Sequence, residues 1–248
     1  MEPEQSRTGL AGAIEEYASR GLLLFLVLFA IEVGLFFVVA SLPFFPGEKA
    51  FYTSQSNQIN TQFQGASLLT QFWGIFTNNF RIAVIEMVPV LGAAFFAFSL
   101  YATARILEAI AASDNDSPIL VLVLLLLLFP HSYIELPAYA VATGEGLVLA
   151  YAIARWLFAS GSSPVRFRVE LGQLLLNLTI VTVMLLVAAL FESVEIQLGL
   201  AFWATWLPFA GLVALTIILK RRLDKIKKEK GAELSAVTKK DDSSHLSG

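Results

Sequence analysis

The chain has 248 residues, 56% hydrophobic and only 15% charged, with no cysteine. A globular domain is about a quarter charged, and here the apolar excess lies in long unbroken runs, so the composition excludes a water-soluble fold and points to a polytopic membrane protein. The missing cysteines exclude disulfides, iron–sulfur clusters and thiolate zinc sites, and the net charge of −3 carries little weight because the two signs are segregated along the chain.

Residues 1–20 read as a polar arm with room for a short amphipathic helix over 10–17. Glu2, Glu4, Glu15 and Glu16 stand where a cleavable leader would have a basic region, so the first apolar segment is expected to remain as an anchor. That segment, 21–40, is long enough to cross at about 1.5 Å per residue and contains Glu32. Residues 41–70 open with Pro43, Pro46 and Gly47, continue rich in Gln, Asn, Ser and Thr, and read as an exposed outer loop. Leu68, Leu69, Phe72, Trp73, Ile75, Phe76 and Phe80 recur at helical spacing. They predict an interfacial helix over 68–80 with its tryptophan at headgroup depth.

Arg81 leads into a second span, 82–105, that holds Glu86 and Pro89. A polar turn at 113–117 offers Ser117 as N-cap and Pro118 as a first-turn proline for a third span, 118–134. A fourth span covers 138–158, a loop at 159–168 leads to a fifth over 171–191, and Glu192 and Glu195 mark the turn after it. The sixth runs over 198–219, and 220–248 is a lysine-rich, then Ser/Asp-rich, tail that reads as disordered. The expected fold is an all-α membrane helix bundle (residues 21–219) of about six transmembrane helices, with a proline-broken segment between the third and fourth.

An even number of spans puts both termini on one side, and the positive-inside rule makes that side cytoplasmic. Of the 17 Lys and Arg residues, only Lys49 and Arg81 then lie outside. The same choice gathers the 41–70 segment, the 68–80 helix, His131, Glu135 and the Glu192–Glu195 turn on the outer side of a cell membrane.

Chemistry concentrates in Phe129-Pro130-His131-Ser132-Tyr133-Ile134-Glu135-Leu136-Pro137-Ala138, which follows an apolar run and precedes Gly144, Glu145 and Gly146. Ionisable groups in lipid are costly and face a protein interior or a wet cavity. His131 and Glu135 are i, i+4 and share a face if the backbone is helical. Two readings stand side by side: a proton relay or cation site, or a hydrogen-bonded pair that satisfies carbonyls freed by the prolines. Glu32, Glu86, Glu145 and Arg81 are candidates to join this polar cluster, with Arg81 expected to pair with a carboxylate. Asn78 and Asn79 suit a cap or turn at the entry to the second span.

The order Asn78-Asn79-Phe80-Arg81, then His131-Ser132-Tyr133-Ile134-Glu135-Leu136-Pro137-Ala138, then Gly146-Leu147, with Glu192 closing a helix that begins in a basic stretch, resembles the stage II sporulation protein M family. That family's pattern has Asn-Asn-x-Arg, His-Gly-x-x-Glu-Leu-Pro-Ala and a Gly-Leu pair, and the resemblance covers roughly 72–220. Ser132 replaces the usual glycine, and Tyr101-Ala102-Thr103-Ala104-Arg105 stands where the family has Asn-Gly, which marks a divergent member. The family motif falls on Asn78, Asn79, Arg81, His131, Glu135, Pro137, Ala138 and Glu192. The resemblance implies a membrane scaffold that recruits partner proteins, cell-wall hydrolases in the case of spore formers.

No His-Glu-x-x-His helix, Gly-x-Ser-x-Gly elbow or phosphate-cradling glycine loop occurs, so no enzyme and no cofactor is expected. A metal site is disfavoured because a second histidine is missing from the membrane region. The expected partners are membrane lipid and either a protein partner or further copies of the chain. Nucleic acid is not expected, because the basic tail has no aromatics. A transporter or channel with His131, Glu135 and Glu145 along its pathway is the alternative to the scaffold.

Overall fold

The computed structural model describes residues 4–113, 123, 128–158 and 164–244. The described residues form helices α1 (Glu4–Ala40), α2 (Glu48–Phe63), α3 (Leu68–Glu86), α4 (Leu91–Ser113), α5 (Ser132–Phe158), α6 (Pro164–Leu198) and α7 (Trp206–Ser244), with a 3₁₀ segment at Gly199–Thr205 and no strand. Five stretches are long and apolar enough to cross a membrane: Leu22–Ala40, Leu91–Ala111, Ser132–Phe158, Gly172–Leu198 and Ala201–Ile226. The protein is an all-α membrane helix bundle. Most of the expected third span, together with Ser117 and Pro118, lies outside the described residues, as do positions 159–163 of the loop expected at 159–168, whose remainder is the start of α6.

Residues 4–203 form one compact unit and α7 belongs to a second, described by itself. In the first unit a core of small residues, Ala83, Ala138 and Ala142, with Met87, Val181 and Leu185, lets α3, α5 and α6 approach closely. A second core joins Phe36, Val39 and Ala40 of α1 to Phe96, Leu100 and Ala104 of α4.

Several elements depart from the sequence reading. The polar arm is continuous with the first span: α1 has 37 residues, about 55 Å at 1.5 Å per residue. The 41–70 segment contains α2, which its Gln/Asn/Ser/Thr composition hides. Glu48 reaches back to the backbone N–H of Phe45 at 2.8 Å, and Tyr52 and Ser56, each four residues further on, are buried. Residues 220–244, expected to be disordered, continue α7 as helix. Their Lys, Glu and Ala content is rich in strong helix formers.

The helix at 68–80 exists but extends to Glu86, capped by Ser67, whose hydroxyl accepts the Thr70 N–H at 3.2 Å. The buried stripe is Gln71, Ile75, Asn79, Ala83 and Glu86, while Leu69, Trp73, Val84 and Ile85 are exposed beside Thr77, Asn78 and Arg81. The inward face therefore carries three polar side chains, and the outward face is mixed.

The second span is not one helix over 82–105. Pro89 lacks an N–H, Val90 takes a left-handed φ of 68°, and the chain reverses between Glu86 and Leu91. The Gly92 N–H closes the turn on the Val88 carbonyl at 2.8 Å. A Cβ on Gly92 would lie 1.9 Å from the Glu86 carbonyl oxygen, so only glycine fits there. The turn rests against α5, where a Cβ on Gly146 would lie 2.6 Å from the same oxygen. Position 146 is in the middle of α5, so α3 and α4 form a helical hairpin with its tip inside the bundle.

From that tip α4 returns toward the C-terminal end of α1. Arg105, fully buried, donates to the carbonyls of Val39 (3.3 Å), Leu42 (2.7 Å) and Pro43 (3.3 Å). It also pairs with Glu108 and lies 3.3 Å from Glu48. Arg105 therefore sits on the side of the 41–48 connection, opposite to its expected place.

Candidate functional site

The central motif resolves into a turn and a helix start. Ser132 and Tyr133 donate to the carbonyls of Phe129 and Pro130, both at 3.2 Å, and the Ile134 and Glu135 N–H groups both reach the His131 carbonyl at 2.9 Å. The i, i+4 register of His131 and Glu135 is therefore helical. Pro137 lies inside α5, so the break in the chain is at Phe129–His131 and the second proline only removes one donor from a continuing helix.

His131 does not rest on Glu135 alone. Its Nδ1 pairs with the Glu195 carboxylate from the far end of α6. Glu135 and Glu192 offer carboxylate oxygens that, with a ring nitrogen of His131, all lie within 4.8 Å of one another. The Tyr139 hydroxyl donates to Glu135 at 3.0 Å.

Glu135 and Glu192 also line a cavity of about 750 Å³, together with Glu32, Glu86, Asn78, Asn79, Arg81 and Tyr139. Glu86, at the hairpin tip, accepts from Ser99 Oγ at 2.9 Å and from Thr143 Oγ1 at 3.4 Å. Glu32 is fully buried, and neither of its carboxylate oxygens has a hydrogen-bond partner. Arg81 is exposed and makes no ion pair among the described residues, in contrast to the pair expected from the sequence. It is one of the residues that line the cavity.

Of the residues expected to form one cluster, the structure brings Glu32, Glu86, Arg81 and Glu135 to this cavity; His131 is not among its lining residues but has a ring nitrogen within 4.8 Å of the Glu135 and Glu192 carboxylates. Glu145 stands apart: it is buried, accepts a hydrogen bond from Asn177 Nδ2, and is not among the cavity's lining residues. Asn78 and Asn79 lie within α3 and line the cavity, Asn78 donating to Asn79 at 3.2 Å, so they do not cap the second span. Pro137 and Ala138 are structural, Ala138 being fully buried in the α3–α5–α6 core.

Sequence reasoning missed the role of Glu195 as the partner of His131. It treated Glu192 as the end of a span, whereas Glu192 faces His131 from α6. The i, i+3 spacing of Glu192 and Glu195 was the available signal, since it puts both on one helix face. It also missed the buried Arg105 network, which the lone arginine of an apolar helix signals. Glu48, outside the spans, anchors that network: burial favours its neutral form, but the Tyr101 hydroxyl, the Phe45 N–H and Arg105 together hold its carboxyl below the usual range.

Chemically, the cavity is an acidic, half-enclosed chamber inside a membrane bundle. Glu32, Glu86, Glu135 and Glu192 face it against the single guanidinium of Arg81. Unpaired carboxylates in such surroundings require protons or a cation.

The family model for stage II sporulation protein M matches residues 22–194, a stretch that contains every residue lining the cavity. No curated protein and no solved structure matches the chain.

Proposed function

Since the chain belongs to the stage II sporulation protein M family, we propose that it is a non-enzymatic membrane scaffold that holds partner proteins at the cell membrane. The observation that carries this reading is the length of the helices at the two ends of the chain. α1 has 37 residues and α7 has 39, whereas a crossing takes about 20. In the sequence Glu4, Arg7, Glu15, Glu16 and Arg20 precede the apolar run of α1, and Lys220, Arg221 and Arg222 open a charged run after that of α7, so each helix is longer than its apolar part. The reading assigns those extra lengths to partner contact.

The positive-inside rule supports cytoplasmic chain ends. If both ends lie on one side, this reading puts Lys49, Arg81 and, because it sits beside the 41–48 connection, Arg105 on the outer side and the other basic residues inside. The test is gentle extraction of the tagged full chain, and of variants lacking 4–19 or 232–244, followed by mass spectrometry of co-purifying proteins. The reading expects a stoichiometric partner with the full chain that is lost from at least one truncation. A clean homo-oligomer unaffected by either truncation overturns it.

A second reading, an ion- or proton-coupled transporter or channel, is favoured by the acidic cavity beside the tip of a broken helix pair. Glu145 is committed to Asn177, so this reading rests on Glu32, Glu86, Glu135 and Glu192. Cation flux in proteoliposomes that is abolished by Glu135→Gln, with folding intact, would support it.

A further inference from the structure

We propose that the outer end of this cavity is a binding site for a divalent transition-metal cation, with His131, Glu135 and Glu192 as ligands. The three side chains come from the turn before α5, the first turn of α5 and the end of α6, and their donor atoms lie within 4.8 Å of one another. Metal–nitrogen and metal–oxygen bonds of about 2.0–2.2 Å set donors about 3–4.4 Å apart, so small side-chain rotations bring all three onto one ion.

Two further observations point to the same ligand. Nδ1 of His131 is held by Glu195, so a bound metal would take Nε2. A histidine held through its other nitrogen by a buried carboxylate is the arrangement that fixes ring orientation and raises basicity at metal centres. Independently, Glu32 is fully buried, has no hydrogen-bond partner on either oxygen, and lines the same cavity as Glu135 and Glu192. Glu135 and Glu192 would supply two negative charges to a bound ion, and Glu32 stands in the same cavity as a third carboxylate with no hydrogen-bond partner. Protons or a dication can answer such a cluster, and titration with Mn²⁺ separates the two.

The donor set selects the cation class. One imidazole with carboxylates suits Mn²⁺, Fe²⁺ or Zn²⁺. It is a poor match for Cu⁺, which wants sulfur, and for Ca²⁺, which takes 6–8 oxygens. A single histidine is enough here because Glu192, 57 positions from Glu135 in sequence, closes the set. This assignment does not depend on partner binding and is tested separately.

The experiment uses the purified full chain in detergent, stripped with a chelator and desalted, with Mn²⁺ as the probe. Electron paramagnetic resonance of Mn²⁺ titrations should show stoichiometric binding displaced by Zn²⁺, with an imidazole-nitrogen modulation that His131→Gln removes. Glu135→Gln and Glu192→Gln should each weaken Mn²⁺ binding by about tenfold or more, while Glu145→Gln should leave it unchanged. Melting temperatures taken without metal identify variants that fail to fold. If folded wild-type protein retains neither Mn²⁺ nor Zn²⁺, or binds Mn²⁺ without a nitrogen signal, the assignment is wrong. Wild-type affinity in well-folded Glu135→Gln and Glu192→Gln would overturn it equally.

Discussion

Gly144 and Gly146 lie one residue apart on α5, yet the same substitution should act on them with opposite sign. A Cβ at Gly144 would meet Leu28 Cδ1 at 3.5 Å and Leu24 Cδ2 at 3.7 Å, which is ordinary contact with flexible side chains. A Cβ at Gly146 would meet the Glu86 carbonyl oxygen at 2.6 Å and the Met87 carbonyl carbon and oxygen at 3.2 Å. Those atoms are backbone at the tip of the hairpin and cannot rotate away. The tip or α5 must retreat by roughly 0.8 Å to restore contact, a displacement of the size that costs overpacked cores about 1–3 kcal/mol. Alanine gains about 0.5–1 kcal/mol over glycine in a helix interior, so Gly144→Ala should be neutral or stabilising. Gly146→Ala should lose about 1–3 kcal/mol, or about 2–12 °C in melting temperature for a chain of this length. Tryptophan fluorescence during thermal unfolding in detergent measures both. If Gly146→Ala melts at or above Gly144→Ala, the hairpin tip is not seated on α5 and the architecture described above fails.

Arg105→Ala should destabilise by about 3–5 kcal/mol, since it leaves Glu108, part-exposed Glu48 and the 39–43 carbonyls without their cation; Arg105→Lys should fall between, keeping charge but losing the fork. Thermal unfolding of the two variants checks the order. Because the folded-state pKa of Glu48 is depressed, its contribution is present above the ordinary carboxylate range and is lost as pH falls through the folded value. The acid limb of a melting-temperature profile should therefore be shallower in Glu48→Gln than in wild type, and parallel limbs would remove Glu48 from the account. Asn177→Leu should destabilise by about 1–3 kcal/mol by removing the Asn177 donor from buried Glu145, with part of the loss recovered in the double variant with Glu145→Leu; simple additivity of the two would show that the bond carries no coupling.

The apolar runs of α1, α5 and α6 are legible because lipid imposes a single rule, an unbroken run of about 20 apolar residues per crossing. α2 and α3 obey other rules. Nothing local announces α2: it is held by Glu48, Tyr52 and Ser56 against neighbours such as Tyr101 and Arg105, which are far away in sequence. α3 has a helical period, but whether its apolar stripe faces headgroups or lipid depends on what covers Gln71, Asn79 and Glu86, and only the fold supplies that. Pro89 lies in an apolar run that reads as one span, because lipid tolerates proline in a crossing helix, and nothing local says that the chain reverses there. At the site, His131 and Glu135 were legible as local neighbours, while Glu192 and Glu195 reach them only because α6 packs along α5. The i, i+3 spacing of Glu192 and Glu195 puts them on one helix face, but what that face meets is decided by tertiary pairing.

Glu86 is where fold and site become one problem. Its backbone carbonyl is the atom that Gly92 and Gly146 are shaped around, and its carboxylate, held by Ser99 and Thr143, forms part of the cavity wall. A shift of the hairpin tip therefore moves a carboxyl group of the cavity by a similar amount, without touching His131, Glu135 or Glu192 directly. Gly146→Ala should then weaken Mn²⁺ binding along with stability if the cavity acts as one electrostatic unit. Binding left unchanged in a destabilised Gly146→Ala would mean that the three ligands act alone, and that Glu86 belongs to the scaffold and not to the site.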